Sequence, residues 1–101
     1  MDLVPQNAHS VITRVVREEW GRVLSALMSH CRDLGLAEDA LQDALVDALK
    51  SWPRDGVPDV PRAWLLTTAR RRAIDRIRRS ANFVKKRDQY EVLLLLEGGQ
   101  E

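Results

Sequence analysis

From Leu36 to Trp52 apolar residues recur every three or four positions, as Ala37, Ala40, Leu41, Ala44, Leu45, Ala48, Leu49 and Trp52, without a break. That period places them all on one face of an α-helix, a face that has to be buried against another element. The opposite face reads as Glu38, Asp39, Gln42, Asp43 and Asp47. No stretch of the chain alternates with β-branched residues as a half-buried strand requires, so the expected class is all-α, a compact bundle of three to four helices.

The remaining elements follow from the punctuation. Ser10 is the expected N-cap of a first helix running through Val16, Trp20, Val23, Leu27 and Cys31, with Gly35 at its end. WPRDGVPDVP, residues 52–61, should break the second helix, and Asp59 followed by Pro61 resembles a capped start for a third helix over Arg62 to Arg79. A fourth is expected from Phe83 to Leu96. With 101 residues there is room for one domain and one modest core.

Charge is distributed unevenly. The formal net charge is +1, yet Asp33 to Asp59 carries a net −5 and Arg62 to Arg87 a net +9. Opposite faces of this kind suggest two different partners. The basic segment RAWLLTTARRRAIDRIRRS has Arg72, Arg76 and Arg79 along one side of a helix, Arg71, Arg78 and Asp75 near another, and Arg70 beside the apolar stripe. The expectation is that no single partner helix neutralises them. A guanidinium donates two parallel bonds and stays charged at any relevant pH, which suits phosphate oxygens. Lys85, Lys86 and Arg87 would extend the strip. The plainer alternative is a solvated helix face. For Asp75 the simplest role is an intrahelical ion pair.

On the acidic helix, Glu38 and Asp39 can be explained by the helix dipole, but Asp43 and Asp47 less so, and the row reads as a docking face for a basic partner helix. Trp20, Trp52 and Trp64 lie at or beside apolar stripes and are expected as core anchors. Trp52, which opens the irregular loop, could instead stack on an unpaired base. His9 and His30 are isolated, and the carboxylates lack the Glu-x-x-His pairing of a di-iron bundle, so no metal, cofactor or catalytic centre is expected. Cys31 is the one cysteine and reads as a small apolar filler. The lone thiol, a start without a secretory signal pattern, and an apolar run (Val92 to Leu96) too short for a bilayer fit a cytoplasmic protein with no membrane partner.

AEDALQDAL, residues 37–45, followed by AWLLTTARRRAIDRIRR, residues 63–79, closely resembles the core-binding and promoter-recognition domain of extracytoplasmic-function sigma factors, region 2 of the sigma-70 family. The wording from Asp55 to Arg79 is most similar to the branch with a long C-terminal helical-repeat extension. The resemblance implies an N-terminal tail (1–10), a region 2 domain (11–82) and the start of an interdomain linker (83–101). It implies that Asp39, Gln42 and Asp43 dock on the coiled coil of the RNA polymerase β′ clamp, and Glu38 and Asp47, on the same acidic face, are expected to join them. It further implies that the loop from Ser51 to Pro61, with Trp52, Arg54 and Asp55, captures a base flipped from the non-template strand of the promoter minus-ten element. Arg70, Arg71, Arg72, Arg76, Arg78 and Arg79 correspond to the helix that follows the DNA backbone there, and Arg62, Lys85 and Lys86 are expected as further DNA contacts from their charge. Trp64 and Leu65 match the family's core pair. The pattern departs at Arg71, where many members have asparagine, and the family's helix-turn-helix that reads the minus-thirty-five element does not follow.

Other readings stay open on the residues. The chain could be a helical interaction module whose basic strip meets an acidic protein, an anti-sigma factor or its own C-terminal extension being examples. It could be a sequence-indifferent nucleic-acid binder. The apolar tail, Tyr90 and Val92 to Leu96, could pair two copies or be a piece of linker helix.

Overall fold

The structure, a computed structural model, describes residues 7–79 and 87–98. It contains α1 (Ala8–Cys31), α2 (Leu34–Asp55), α3 (Pro61–Arg79) and α4 (Arg87–Gly98), with no strand among the described residues. The all-α bundle is as expected. No helix among the described residues is long and apolar enough to cross a membrane.

Helix ends differ from the sequence reading, each for a local reason. Asn7, not Ser10, caps α1, because its Oδ1 accepts the Ser10 N–H at 2.8 Å. At the other end Arg32 adopts the left-handed conformation (φ 60°, ψ 13°) and donates its N–H to the Met28 carbonyl at 3.1 Å. Asp33 then caps α2 through a bond from the Leu36 N–H at 3.0 Å, so Gly35 falls inside the first turn of α2 instead of ending α1. Cys31 sits fully buried at this junction, its thiol directed at the Asp33 carbonyl, and burial pushes its pKa up. That is the filler role expected of it.

The α2 stripe carries on through Trp52 and beyond Pro53. A proline lacks a donor, but in the last turn that removes little, and α2 ends only at Gly56, whose N–H donates to the Trp52 carbonyl at 2.8 Å. Gly56 has φ 101° and ψ 155°, a region in practice reserved for glycine. α3 starts at Pro61, with Val60, not Asp59, immediately before it and accepting from the Ala63 and Trp64 N–H groups.

The core is one cluster drawn from all four helices, with Leu27, Leu41, Leu65, Ile77, Leu96 and Cys31 among its fully buried members. α2 contributes Ala37, Ala40, Leu41, Ala44, Ala48 and Trp52, while α3 contributes Leu65, Ala69, Ala73 and Ile77. Fully buried alanines on both helices leave little side chain to hold the backbones apart, and α2 against α3 is the most extensive packing in the bundle. Leu49 departs from the expectation: it is 43 % exposed, and Leu45 only partly buried, so the buried stripe is narrower than its spacing suggests. Val92, Leu93 and Leu96 seat α4 on the rest.

Candidate functional site

The outer face of α2 is formed by Glu38, Gln42, Val46 and Leu49, all exposed. Val46 and Leu49, at 46 % and 43 %, make this face partly apolar. Val46 escaped the sequence reading, although its position four residues beyond Gln42 places it on that row.

Asp39, Asp43 and Asp47 lie about 100° around the helix from Glu38, Gln42 and Val46. They do not point away from the bundle as the sequence suggested. They form the rim between the outer face of α2 and α3, and they meet arginines there. Asp47 takes both arms of the Arg72 fork, with Nε to Oδ2 at 2.7 Å. Asp43 takes both arms of Arg76, at 2.8 and 3.1 Å, and Asp39 lies 3.7 Å from the same guanidinium. The pairs step four residues up one helix and four down the other, which fits antiparallel packing. α2 therefore neutralises Arg72 and Arg76 and not the whole strip, in keeping with the expectation that no single helix would neutralise all of it. The repulsion built into the aspartate row is offset by the arginines opposite it.

The other basic residues fall into distinct settings. Arg71 and Arg79 are exposed and make no ion pair among the described residues. Arg70 is half-buried. Arg78 pairs with Glu97 of α4, and Arg62 lies 3.7 Å from Glu19 of α1. Glu19 and Glu97 were invisible to the sequence reading, since nothing local marks a partner on another helix. Asp75 makes no ion pair among the described residues; the arginines near it in sequence that do pair turn to α2 and α4. Lys85 and Lys86 lie outside the described residues, as does the side chain of Tyr90.

Trp52 is 2 % exposed, and its ring meets Trp64 edge-on at 5.2 Å and 72°. It is therefore a core anchor, and its face is not presented to a base as its loop position suggested. One side of it nevertheless walls a cleft of about 580 Å³, shared with Asn7, Ala8, His9, Pro53, Gly56 and Val57. Arg54 and Asp55 are exposed in the last turn of α2 and bond to each other.

The electrostatics follow the geometry. The Arg76 hydrogen bonds hold the Asp43 carboxyl below its ordinary value, and the bonds that Arg72 and Arg76 donate to Asp47 and Asp43 push the two guanidinium groups up. Because the folded value of Asp43 is depressed, its stabilisation is fully present above the ordinary carboxylate pKa of about 3.9 and is lost as pH falls through the folded value. A half-exposed pair is worth at most about 1 kcal/mol. The unaltered chain should thus lose more stability than Asp43→Asn on going from about pH 5 to about pH 3, by up to about 1 kcal/mol. Urea titrations at the two pH values read this directly, and equal losses would deny the pair any weight.

Residues 15–83, from within α1 to beyond the end of α3, match the Sigma-70 region 2 family. The chain belongs to the sigma-70 region 2 family. Region 2 domains bind RNA polymerase core and promoter DNA and take part in promoter melting, so this is a domain of the transcription-initiation machinery. A relative in Rhizobium meliloti (strain 1021), described only as an uncharacterized protein, is 45 % identical over 60 residues, which cover 59 % of this chain and 14 % of the relative. The region 2 domain thus spans a small part of that relative's length. No solved structure gave a significant match.

Proposed function

We propose that this region 2 domain belongs to a sigma factor of the extracytoplasmic-function type, acting in the cytoplasm, and that its two working surfaces are the outer face of α2 and the arginine side of α3. Residues 11–82 would form the functional unit and 83–101 the beginning of a linker, in the branch that carries a C-terminal helical-repeat extension. The observation that carries this reading is the placement of an acidic, partly apolar face (Glu38, Asp39, Gln42, Val46, Leu49) directly beside a helix bearing Arg71, Arg72, Arg76 and Arg79. Such a face accepts a basic helix like that of the polymerase β′ clamp: carboxylates attract it and set its register, and the exposed Val46 and Leu49 supply apolar contact. The arginines would then track the phosphates of the opening non-template strand.

Base capture is supported by the cleft at the end of α2. Extruding a base costs a few kcal/mol, and a pocket that accepts only the unpaired form offsets that cost and selects sequence. Pro53, Gly56 and Val57 edge the cleft, and Gly56 lets the chain turn there through a positive φ that other residues rarely adopt. Trp52 would act as its wall rather than as a stacking platform.

Glu38→Arg with Gln42→Arg tests the docking face while leaving Asp43, Asp47 and their arginines intact. Retention by immobilised polymerase core should fall at least about tenfold, since like charges set against each other across an interface cost several kcal/mol. Undiminished retention would remove the docking assignment.

A helical interaction module is the second reading. Leu94 and Leu95, 52 % and 40 % exposed on α4, favour it, as does the adjacent cleft lined by Leu34, Leu36, Val92 and Leu95. An anti-sigma factor, a C-terminal extension or a second copy would be the occupant.

A further inference from the structure

We propose that the cleft between α4 and the α1–α2 junction, with the leucine ridge beside it, is a self-association surface that takes a second copy of this chain about a two-fold axis. α4 lies beyond residues 15–83 that match the family, so this surface is separate from the outer face of α2 and from the α3 arginines. The inference rests on the second reading above for the patch itself and commits it to one occupant.

Three of the seven large hydrophobics exposed among the described residues gather here: Leu34 at 51 %, Leu94 at 52 % and Leu95 at 40 %. Leu34 and Leu95 line one cleft of about 710 Å³, with Leu36 and Val92 also in its lining. Leu94 stands next to Leu95 and three residues from Glu91, on the outward ridge of α4. Val92, Leu93 and Leu96 already seat α4 on the bundle, which leaves Leu94 and Leu95 for something outside it. The surface of a monomer seldom collects apolar side chains in this way.

The charges decide the occupant. Arg32 and Leu34 stand on the junction wall of the cleft, Glu91 and Leu95 on the α4 wall. Arg32 and Glu91 are exposed, and neither makes an ion pair among the described residues. Asp33 shares the junction wall, but its Oδ1 is held by the Leu36 N–H as the cap of α2, a tie that Arg32 lacks. An isologous interface pairs residue i with j and j with i, so a two-fold axis along the cleft sets each wall against the opposite wall of the other copy. Arg32 of one copy then meets Glu91 of the other, twice over, with Leu34 against Leu95 beside each pair. A purely basic or purely acidic protein would suit one wall; a second copy suits both. The nine residues lining the cleft, with Leu94, are fewer than the roughly 20–30 a side of a standard interface, so the association is weak and needs micromolar concentrations or more.

Sedimentation velocity of the 101-residue chain, over about a hundredfold range of concentration reaching the high micromolar, tests this. The unaltered chain should pass from monomer to dimer, and Leu94→Glu should weaken the association at least about tenfold. Glu91→Arg and Arg32→Glu should each lose self-association in the same way, since each sets like charges face to face. Mixed in equal amounts the two should recover it, because a two-fold pairing of one with the other restores both ion pairs. A contact within one chain could not produce that recovery. A chain that is monomeric at every concentration overturns the proposal. So does undiminished association of all three variants, or a mixture that stays monomeric while the unaltered chain dimerises. Binding of anilinonaphthalene sulfonate, a dye for exposed apolar surface, tells the two readings apart. A monomeric chain that binds the dye, and loses it with Leu94→Glu, keeps the patch for a different protein and sinks only the second copy; a monomeric chain that binds none sinks the second reading as well. All three positions are exposed, circular dichroism verifies the helices of each variant, and if one loses helicity the others carry the test.

Discussion

Leu41→Ala should cost the domain about 2–5 kcal/mol, while Leu49→Ala, eight residues along the same apparent stripe, should stay within about 0.5 kcal/mol. Leu41 is fully enclosed, so removing its side chain forfeits both its transfer from water and its contacts, and leaves a cavity that the neighbouring helices can only partly close. Leu49 is 43 % exposed and faces outward beside Gln42. A domain of this size has a total stability on the order of 5–15 kcal/mol, and each kcal/mol moves Tm by about 4–8 °C. Leu41→Ala should therefore lower Tm by about 8 °C or more, readable by thermal circular dichroism. Equal costs at the two positions would mean that the outer face of α2 is not free, and the docking surface would lose its foundation.

The second large effect is expected from reversing the charge at position 43. Asp43→Arg removes two bonds from Arg76 and sets a cation against it, with Arg72 one turn away. Lost charge-assisted bonds and new repulsion together should cost roughly 1–2 kcal/mol, moderated by solvent. Adding Arg76→Asp restores the pair in the opposite sense, so the double variant should regain most of the stability, with a coupling of about 0.5 kcal/mol or more in the double-mutant cycle. Polymerase retention should not return, because the rim now offers a cation where a basic helix needs a carboxylate. Full recovery of retention would separate docking from the charge at position 43, and a coupling of zero would reduce the α2–α3 pairs to decoration.

How much of this could be read from the chain depends on the range over which each feature is decided. The α2 helix, its buried alanines and Leu41 were legible because a 3.6-residue period is a local property. Helix starts and ends were legible only to within a few residues: Asn7 and Ser10 both have the chemistry of a cap, and the choice rested on which oxygen reached which N–H. Arg32 in a left-handed conformation had no signal at all, since that geometry ordinarily favours glycine or asparagine.

The candidate site was legible in its composition and not in its wiring. The split between an acidic and a basic helix, and the likeness of the two motifs to region 2, stood in the sequence, and the family match agrees. That Asp43 would bond to Arg76, 33 residues away, did not. A helix wheel shows which residues share a face, but the rotation of that face about the helix axis, and which neighbour it meets, are set by how side chains of two helices interdigitate. The sequence by itself determined the helices, their apolar faces and the sign of charge on each. Only the tertiary packing decided that these opposite charges meet inside one molecule, because pairing across helices depends on their relative orientation, which no local pattern encodes.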